Sequence, residues 1–129
     1  MDLLEKTKQF FANDLYAKLS GIEIVDAKEG YSLCTMKIRE DHQNTSGFVM
    51  GGAIYTLADF AAGVASNCGR PVTVTSSAQI NFLRAAKCTE LRAEAYVIRE
   101  GTRTNYTEVG ITDEHGTLIA RSSANGYRP

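Results

Sequence analysis

The most constraining feature of this 129-residue chain is residues 49–67, a run that is almost free of charge. Small and apolar side chains occupy nearly all of it, which predicts one long helix that is covered on most sides. Asp59 is the single formal charge in the run. Burying an unpaired carboxylate costs on the order of several kcal/mol, so a carboxylate at this position indicates a chemical role. The rest of the chain is interpreted as the covering of this helix.

The size and charge of the chain limit the kind of protein it can be. Its 129 residues, of which 43% are hydrophobic, predict one domain spanning residues 1–129 with a real core. The net charge of −1 comes without a basic run, so nucleic acid is not an expected partner. The polar N-terminus does not resemble a signal peptide, and no apolar run reaches the ~18 residues of a membrane span. We therefore expect a soluble, cytoplasmic protein that does not act in a membrane.

The cysteines and histidines do not form a metal-binding pattern. Cys34, Cys68 and Cys88 are widely spaced, and the chain has two histidines, so no zinc-ligand spacing exists. We interpret all three cysteines as reduced, structural thiols. No metal and no resident cofactor is expected.

The segments before the central run are predicted from hydrophobic periodicity. Apolar residues at helical spacing predict an amphipathic helix over residues 2–20, with a break near residues 13–14. Two alternating runs, residues 22–28 and 31–39, predict a hairpin that turns at Glu29 and Gly30. The polar residues 40–48 are typical of a loop, and they deliver the chain to the start of the central helix.

The segments after the central helix predict strands. Residues 72–83 alternate so regularly that we expect one face of this strand on the core; the apolar face carries Val72, Val74, Ala78, Ile80 and Phe82. Further strands are predicted over residues 90–100, 102–112 and 117–127. Their connections are too short for crossover helices, so the sheet must be largely antiparallel. The prediction is an α+β fold in which a curved antiparallel sheet wraps round one long helix.

One motif at the start of the central helix resembles a known family. The pattern is Asn-x-x-Gly-x-x-His-Gly-Gly followed by Asp in mid-helix, and this chain matches it at Asn44, Gly47, Gly51, Gly52 and Asp59. The match, with the order of elements, resembles the hotdog-fold acyl-CoA thioesterases and among them the phenylacetate-degradation (PaaI-like) subfamily. The resemblance spans essentially the whole chain. At one position the chain departs from the pattern, since Met50 stands where the family usually has His.

The resemblance implies catalytic roles for four residues. Asp59 would be the nucleophile or the general base, and the backbone N–H of Gly51 would polarise the thioester carbonyl. Asn44 would help to place the water or the acyl group. Thr75 matches a position where some relatives keep a hydroxyl near the carboxylate, although strand alternation puts Thr75 on the face away from the apolar one and Ser76 on the apolar face.

The chemistry of a helix start supports this assignment independently. The first-turn amides at Gly51 and Gly52 have no intrahelical acceptor and lie at the positive end of the helix dipole, which suits a developing oxyanion. Asp59 follows Gly51 by eight residues, about 12 Å along the axis, too far for both to act on one carbonyl. We therefore expect a homodimer with antiparallel central helices that forms two shared sites, and a homotetramer built from two such dimers.

Further residues are candidates for binding an acyl-CoA substrate, of which coenzyme A would be a part. Phe48 and Met50 are expected to line the pocket for the acyl group, although core packing explains them equally well, and Gly52 and Ser76 are further substrate-binding candidates. Arg84 and Arg103 lie near strand ends and are candidates for the phosphates of coenzyme A, although scattered surface charge is the commoner explanation for such residues.

Two other functions fit parts of the sequence. A non-catalytic protein that binds or senses acyl-CoA is suggested by Met50, because a thioether cannot replace the chemistry of a His. A hotdog hydratase or dehydratase would need an acid/base His close to the helix. His42 lies in the predicted loop and His115 in a turn, so neither suits that role.

Overall fold

The computed structural model describes residues Met1–Pro129 and forms one six-stranded sheet with three α-helices. The elements are α1 (Leu3–Phe11), α2 (Leu15–Leu19), β1 (Ile22–Lys28), β2 (Tyr31–Lys37), a short 3₁₀ helix (Glu40–His42), α3 (Gly51–Asn67), β3 (Val74–Phe82), β4 (Glu90–Glu100), β5 (Thr104–Asp113) and β6 (Leu118–Tyr127). The strand order is β1-β2-β4-β5-β6-β3, and every neighbouring pair is antiparallel. The predicted α+β hotdog architecture is confirmed.

The long helix α3 packs across the middle of the sheet, mainly on β2, β4 and β5. Its inward side carries small and aliphatic residues, and Leu57, Ala61 and Ala65 are fully buried. Alanines at the facing positions Ala93 and Ala95 let the helix approach the sheet closely. No helix of the structure, α3 included, combines the length and hydropathy of a membrane-spanning segment.

The N-terminal helix is broken where the sequence predicted. The side chain of Asp2 caps α1 by accepting a hydrogen bond from the backbone N–H of Glu5 at 2.8 Å. The chain then leaves helical geometry between Phe11 and Leu15, the last residue of α1 and the first of α2. The ring of Phe11 meets that of Phe60 edge-on, with centroids 5.4 Å apart, and so fixes the end of α1 against α3.

Strand positions follow the sequence closely, but one prediction about burial is wrong. Strands β1 and β4 begin and end at the predicted residues, and the other boundaries shift by at most two residues. The expectation that one face of residues 72–83 lies on the core fails, because most of β3 is exposed and only Ile80 is half-buried. The reason is position: β3 is an edge strand that pairs only with β6, and α3 packs mainly on β2, β4 and β5 and contacts β3 at few points.

The cysteines are free thiols. Cys34 is fully buried on β2, and burial raises the pKa of its thiol to about 12. Cys68 is also buried, with its Sγ 3.2 Å from Oγ1 of Thr7. These environments suit structural thiols rather than nucleophiles.

Candidate active site

The start of α3 presents backbone amides without acceptors. Met50 is the N-cap residue, and its carbonyl accepts from the N–H groups of Ala53 and Ile54 at 3.0 and 3.2 Å. The amides of Gly51 and Gly52 precede these donors, and no carbonyl or side chain accepts from either of them. Together with the helix dipole, they form a ready binding site for negative charge.

Asp59 lies two turns further along α3, and its predicted burial in the single chain is wrong. The sheet covers one side of the helix, whereas Asp59 belongs to the opposite side, which also carries Gly52, Thr56 and Gly63. Asp59 and Gly52 are exposed, while Thr56 and Gly63 are half-buried. The stripe of small and polar residues on this side is therefore open to a second molecule.

The carboxylate of Asp59 is unpaired, since it forms neither a hydrogen bond nor an ion pair within the chain. Although the residue is exposed overall, partial desolvation raises the pKa of its carboxyl, and the negative charge of Asp14 raises it further. Asp14 is the N-cap residue of α2 but makes no capping hydrogen bond. The pKa of the Tyr55 phenol is raised by burial and by the negative charge of Asp59. A carboxylate in this state suits proton abstraction or nucleophilic attack.

The loop before α3 is shaped by Asn44. Its Oδ1 accepts from the backbone N–H groups of Ser46 and Phe48 at 2.9 and 3.1 Å, and its own N–H donates to the carbonyl of Phe48 at 2.7 Å. Its Nδ2 forms no hydrogen bond in the chain. Both hydrogen bonds of the side-chain oxygen are therefore made within the loop, and Nδ2 is the group that is free to bind another molecule.

Met50 and His42 lie together at the start of the helix with different exposures. The Met50 side chain is 53% exposed, whereas His42 is buried and receives the Met50 backbone N–H on its carbonyl oxygen. Nδ1 of His42 accepts from the Arg39 backbone N–H at 2.9 Å, and Nε2 lies 2.9 Å from the carbonyl of Ser20. Nε2 must therefore carry the proton, so both ring nitrogens are engaged and His42 is a structural residue.

A surface depression of about 270 Å³ lies beside the free amides. Its lining includes Tyr16 and Leu19 of α2, Met50, and Gly52 and Thr56 of α3. The depression offers apolar surface next to hydrogen-bond donors, the combination that binding sites for small acyl groups need.

Comparison of the sequence and the structure with known proteins indicates one family. The model of the thioesterase superfamily matches residues 46–120, which include the whole of α3 and the strands β3 to β5. The chain is 29% identical to acyl-coenzyme A thioesterase PaaI of Escherichia coli, covering 92% of this chain and 85% of that one. It is 33% identical to human acyl-coenzyme A thioesterase 13, covering 80% and 76% of the two chains. The solved structure of the E. coli PaaI protein superposes with a TM-score of 0.92 at 28% identity, covering 99% of this chain and 96% of that one.

The chain belongs to the thioesterase superfamily. The resemblance found in the sequence motif is thereby confirmed at the level of the family, and PaaI thioesterases are close to it in both sequence and structure.

In this thioesterase-superfamily chain, strand alternation assigned Thr75 and Ser76 to the wrong faces of β3. The pairing of β3 with β6 shifts between Thr75 and Ser77, which leaves Ser76 as the extra residue of a β-bulge. Beyond the bulge Ala78 pairs with Ala124, and before it Thr75 pairs with Gly126, so the extra residue turns Thr75 onto the helix side. Both residues are exposed, but Thr75 contributes to the wall of a small cavity under α3, while Ser76 donates to the carbonyl of Asn125.

The substrate-binding candidates outside α3 are spread over the surface. Arg84 follows the end of β3, whereas Arg103 lies in the turn near its start, so the length of the strand, about 26 Å, separates them. One chain therefore does not bring both to the same phosphate. Phe48 is half-buried, and the ammonium of Lys87 lies 6.0 Å from its ring centroid.

Asn105 is a polar residue that the sequence argument did not single out. It is 5% exposed, and neither Nδ2 nor Oδ1 has a partner in the chain. A signal was present, because Asn105 occupies an inward position of β5 in line with Thr107, Val109 and Ile111, all of which are buried. An amide buried in this row without a partner is as unusual as a carboxylate on the central helix.

Proposed function

We propose that this protein is an acyl-CoA thioesterase that hydrolyses the thioester to free acid and coenzyme A in a site shared by two chains. The observation that carries the proposal is the placement, on one helix, of an unpaired carboxylate at Asp59 and two acceptor-free amides at Gly51 and Gly52. Membership of the thioesterase superfamily supports it, as do the names of two relatives, acyl-coenzyme A thioesterases PaaI and 13.

The proposed unit is a homodimer with antiparallel α3 helices. The axial distance of about 12 Å between Gly51 and Asp59 prevents one chain from completing a site. Two antiparallel helices would bring Gly51 of each chain to Asp59 of the other. The unpaired edge of β3 supports this arrangement, because β3 has the alternation of a half-covered strand yet is exposed in the single chain. We further propose that two dimers form a homotetramer.

The proposed reaction begins with the acyl carbonyl oxygen accepting a hydrogen bond from the Gly51 N–H. The partner's Asp59 then either attacks the carbonyl carbon or removes a proton from a water that attacks it. The C–S bond breaks, the thiolate of coenzyme A takes up a proton, and the acid is released directly or by hydrolysis of the acyl-aspartyl anhydride. The helix start stabilises the oxyanion of the intermediate. Nδ2 of Asn44 and the hydroxyl of Thr75 are proposed to orient the water and the acyl group.

The surface near these residues indicates which side chains would contact each portion of the substrate. Met50, Gly52 and Phe48 would border the acyl group, with the depression beside Met50 as its space. Arg84, Arg103 and the exposed Ser76 remain candidates for the coenzyme A portion, which is part of the substrate rather than a resident cofactor. We also propose a cytoplasmic location, with which three free thiols agree.

The direct test is a thiol-release assay on short-chain, long-chain and aromatic acyl-CoAs, with sedimentation of the same sample. We expect one acid and one thiol per substrate from a dimer or tetramer. Tight binding without turnover would favour the acyl-CoA-binding alternative, and hydration of an enoyl-CoA without thiol release would favour a hydratase. An active monomer would contradict the shared site. Single-turnover hydrolysis in ¹⁸O-labelled water then separates the two roles of Asp59, because label enters its carboxylate only if it is the nucleophile.

A further inference from the structure

The buried amide of Asn105 lies in a row of three residues that crosses three strands. Asn105 of β5 pairs with Gly126 of β6, and Gly126 pairs in turn with Thr75 of β3. A Cβ placed on Gly126 would come within 2.6 Å of Oδ1 of Asn105. The amide of Asn105 therefore lies over Gly126, in the space that a side chain at that position would fill.

Asn105 and Thr75 both line a small, partly open space under α3. About 10 Å³ is open to a water molecule there, and Asn105, Thr75, Ser66 and Thr107 all contribute to its wall. A single water needs roughly 10–15 Å³ of such space and two to four polar partners. The space is therefore large enough for one water and too small for any organic ligand.

The hydrogen bonds around this space leave two groups without partners. Oγ of Ser66 and Oγ1 of Thr107 lie 3.3 Å apart and satisfy each other. The Thr73 hydroxyl donates to the carbonyl of Pro71 at 3.1 Å. The Asn105 amide is buried without a partner, and the Thr75 hydroxyl, on an exposed residue, forms no hydrogen bond in the chain. A buried amide without a partner is costly, which is a reason to expect an ordered water beside it.

We propose that one ordered water fills this cavity and bridges the Asn105 amide to the Thr75 hydroxyl, so that Asn105 is a positioning residue for Thr75. The kinetic consequence rests on the proposed thioesterase activity, in which the Thr75 hydroxyl orients reacting groups. The bridge holds that hydroxyl in one rotamer on the helix side of β3. The remaining lone pair or the proton of the Thr75 hydroxyl then points towards the reacting groups in a fixed direction.

The hydration itself is tested by high-resolution crystal structures of the wild type and of Asn105→Leu. We expect one water within hydrogen-bond distance of both the Asn105 amide and Thr75 Oγ1 in the wild type, and none in the variant. A dry cavity in the wild type, or a water that does not touch Thr75, overturns the proposal. The wild-type structure alone decides the hydration, so this part of the test depends neither on activity nor on the folding of the variant.

The positioning role is tested by kinetics of Asn105→Leu, Thr75→Val and the double variant, with Thr107→Val as the matched control in the same cavity. We expect Asn105→Leu to lower kcat about 10-fold with KM within about twofold, and to have no further effect when Thr75 is already Val. Thr107→Val should leave kcat within about twofold. Additive effects of Asn105→Leu and Thr75→Val, or an equal loss in Thr107→Val, contradict the proposal. A wild type that cleaves no acyl-CoA refutes the proposed function instead, and the crystal structures still decide the hydration site.

Discussion

The ring of Phe82 lies directly against Gly51 at the start of α3. A Cβ added to Gly51 would come within 3.1 Å of the ring's Cζ, closer than ordinary packing allows. Phe82 is 50% exposed, so its ring can move by the few tenths of an ångström that a methyl group requires. This contact places an edge strand beside the amides that are proposed to bind the oxyanion.

Gly51→Ala is therefore expected to impair turnover more than stability. The gain in helix propensity, up to about 1 kcal/mol, offsets the displacement of Phe82, so the melting temperature should change little. The new methyl group narrows the approach to the amide, and kcat/KM should fall about 10-fold or more. Gly52→Ala is the matched stability control, since its Cβ meets nothing closer than Cγ of Met50 at 4.0 Å. Unchanged kinetics in Gly51→Ala would contradict a role for this helix start.

Asp59→Asn is expected to abolish thioester cleavage and leave the oligomer folded. The substitution is nearly isosteric and removes a carboxylate whose ionised form is disfavoured by desolvation and by Asp14, so stability should be unchanged or slightly higher. An amide is neither a base nor a nucleophile at neutral pH, and turnover should fall ~10²-fold or more. Thiol release, acyl-CoA binding and sedimentation check the three parts. A variant that hydrolyses substrate normally, or that unfolds, would remove the basis of the assignment.

Stability is expected to fall with rising pH through the titration of Asp59. Its pKa in the folded chain lies above the unfolded value, so the folded state holds more protons between the two values. The free energy of unfolding therefore decreases as pH rises from the unfolded pKa through the folded one, and is level above it. Denaturant unfolding of wild type and Asp59→Asn at constant protein concentration measures this. The free energy of unfolding of Asp59→Asn should rise relative to that of the wild type across this pH interval. If the two free energies keep a constant difference with pH, the pKa of Asp59 is not perturbed.

Asp14→Asn is expected to shift the pH dependence of kcat/KM. The Asp14 charge is the second cause of the raised pKa of Asp59, after desolvation. Removing it lowers that pKa, so the rising acidic limb of kcat/KM should move to lower pH while the plateau keeps its height. An unmoved limb would show that Asp14 does not act on the reacting carboxylate.

Two substitutions of Asn44 separate its structural role, carried by Oδ1, from its proposed catalytic role, carried by Nδ2. Asn44→Ala removes the oxygen that accepts from Ser46 and Phe48 and should cost about 1–3 kcal/mol of unfolding free energy. Asn44→Asp keeps an acceptor oxygen and should fold normally, but it loses the Nδ2 donor, so kcat should fall. Denaturant unfolding and steady-state kinetics of both variants separate the effects. Full activity in Asn44→Asp would mean that Asn44 serves only to shape the loop.

The sequence by itself determined the secondary structure and singled out the helix. Helical periodicity located the break between α1 and α2, and alternation located every strand to within two residues. These patterns are local, because the period of 3.6 or 2 is set by backbone geometry within one segment. The motif around Gly51 and Asp59 was also readable, since it depends on residue type and spacing alone.

The tertiary structure decided which side of each element is covered. Asp59 is exposed in the single chain because the sheet lies on the other side of α3, a relation that no local pattern encodes. One bulge residue, Ser76, turned Thr75 from the outer face to the helix side, because the side-chain period of two makes facing sensitive to a single insertion. The meeting of Asn105 and Thr75 across Gly126 likewise depends on cross-strand register. Register arises from pairing between distant segments, and therefore exists only once the sheet has formed.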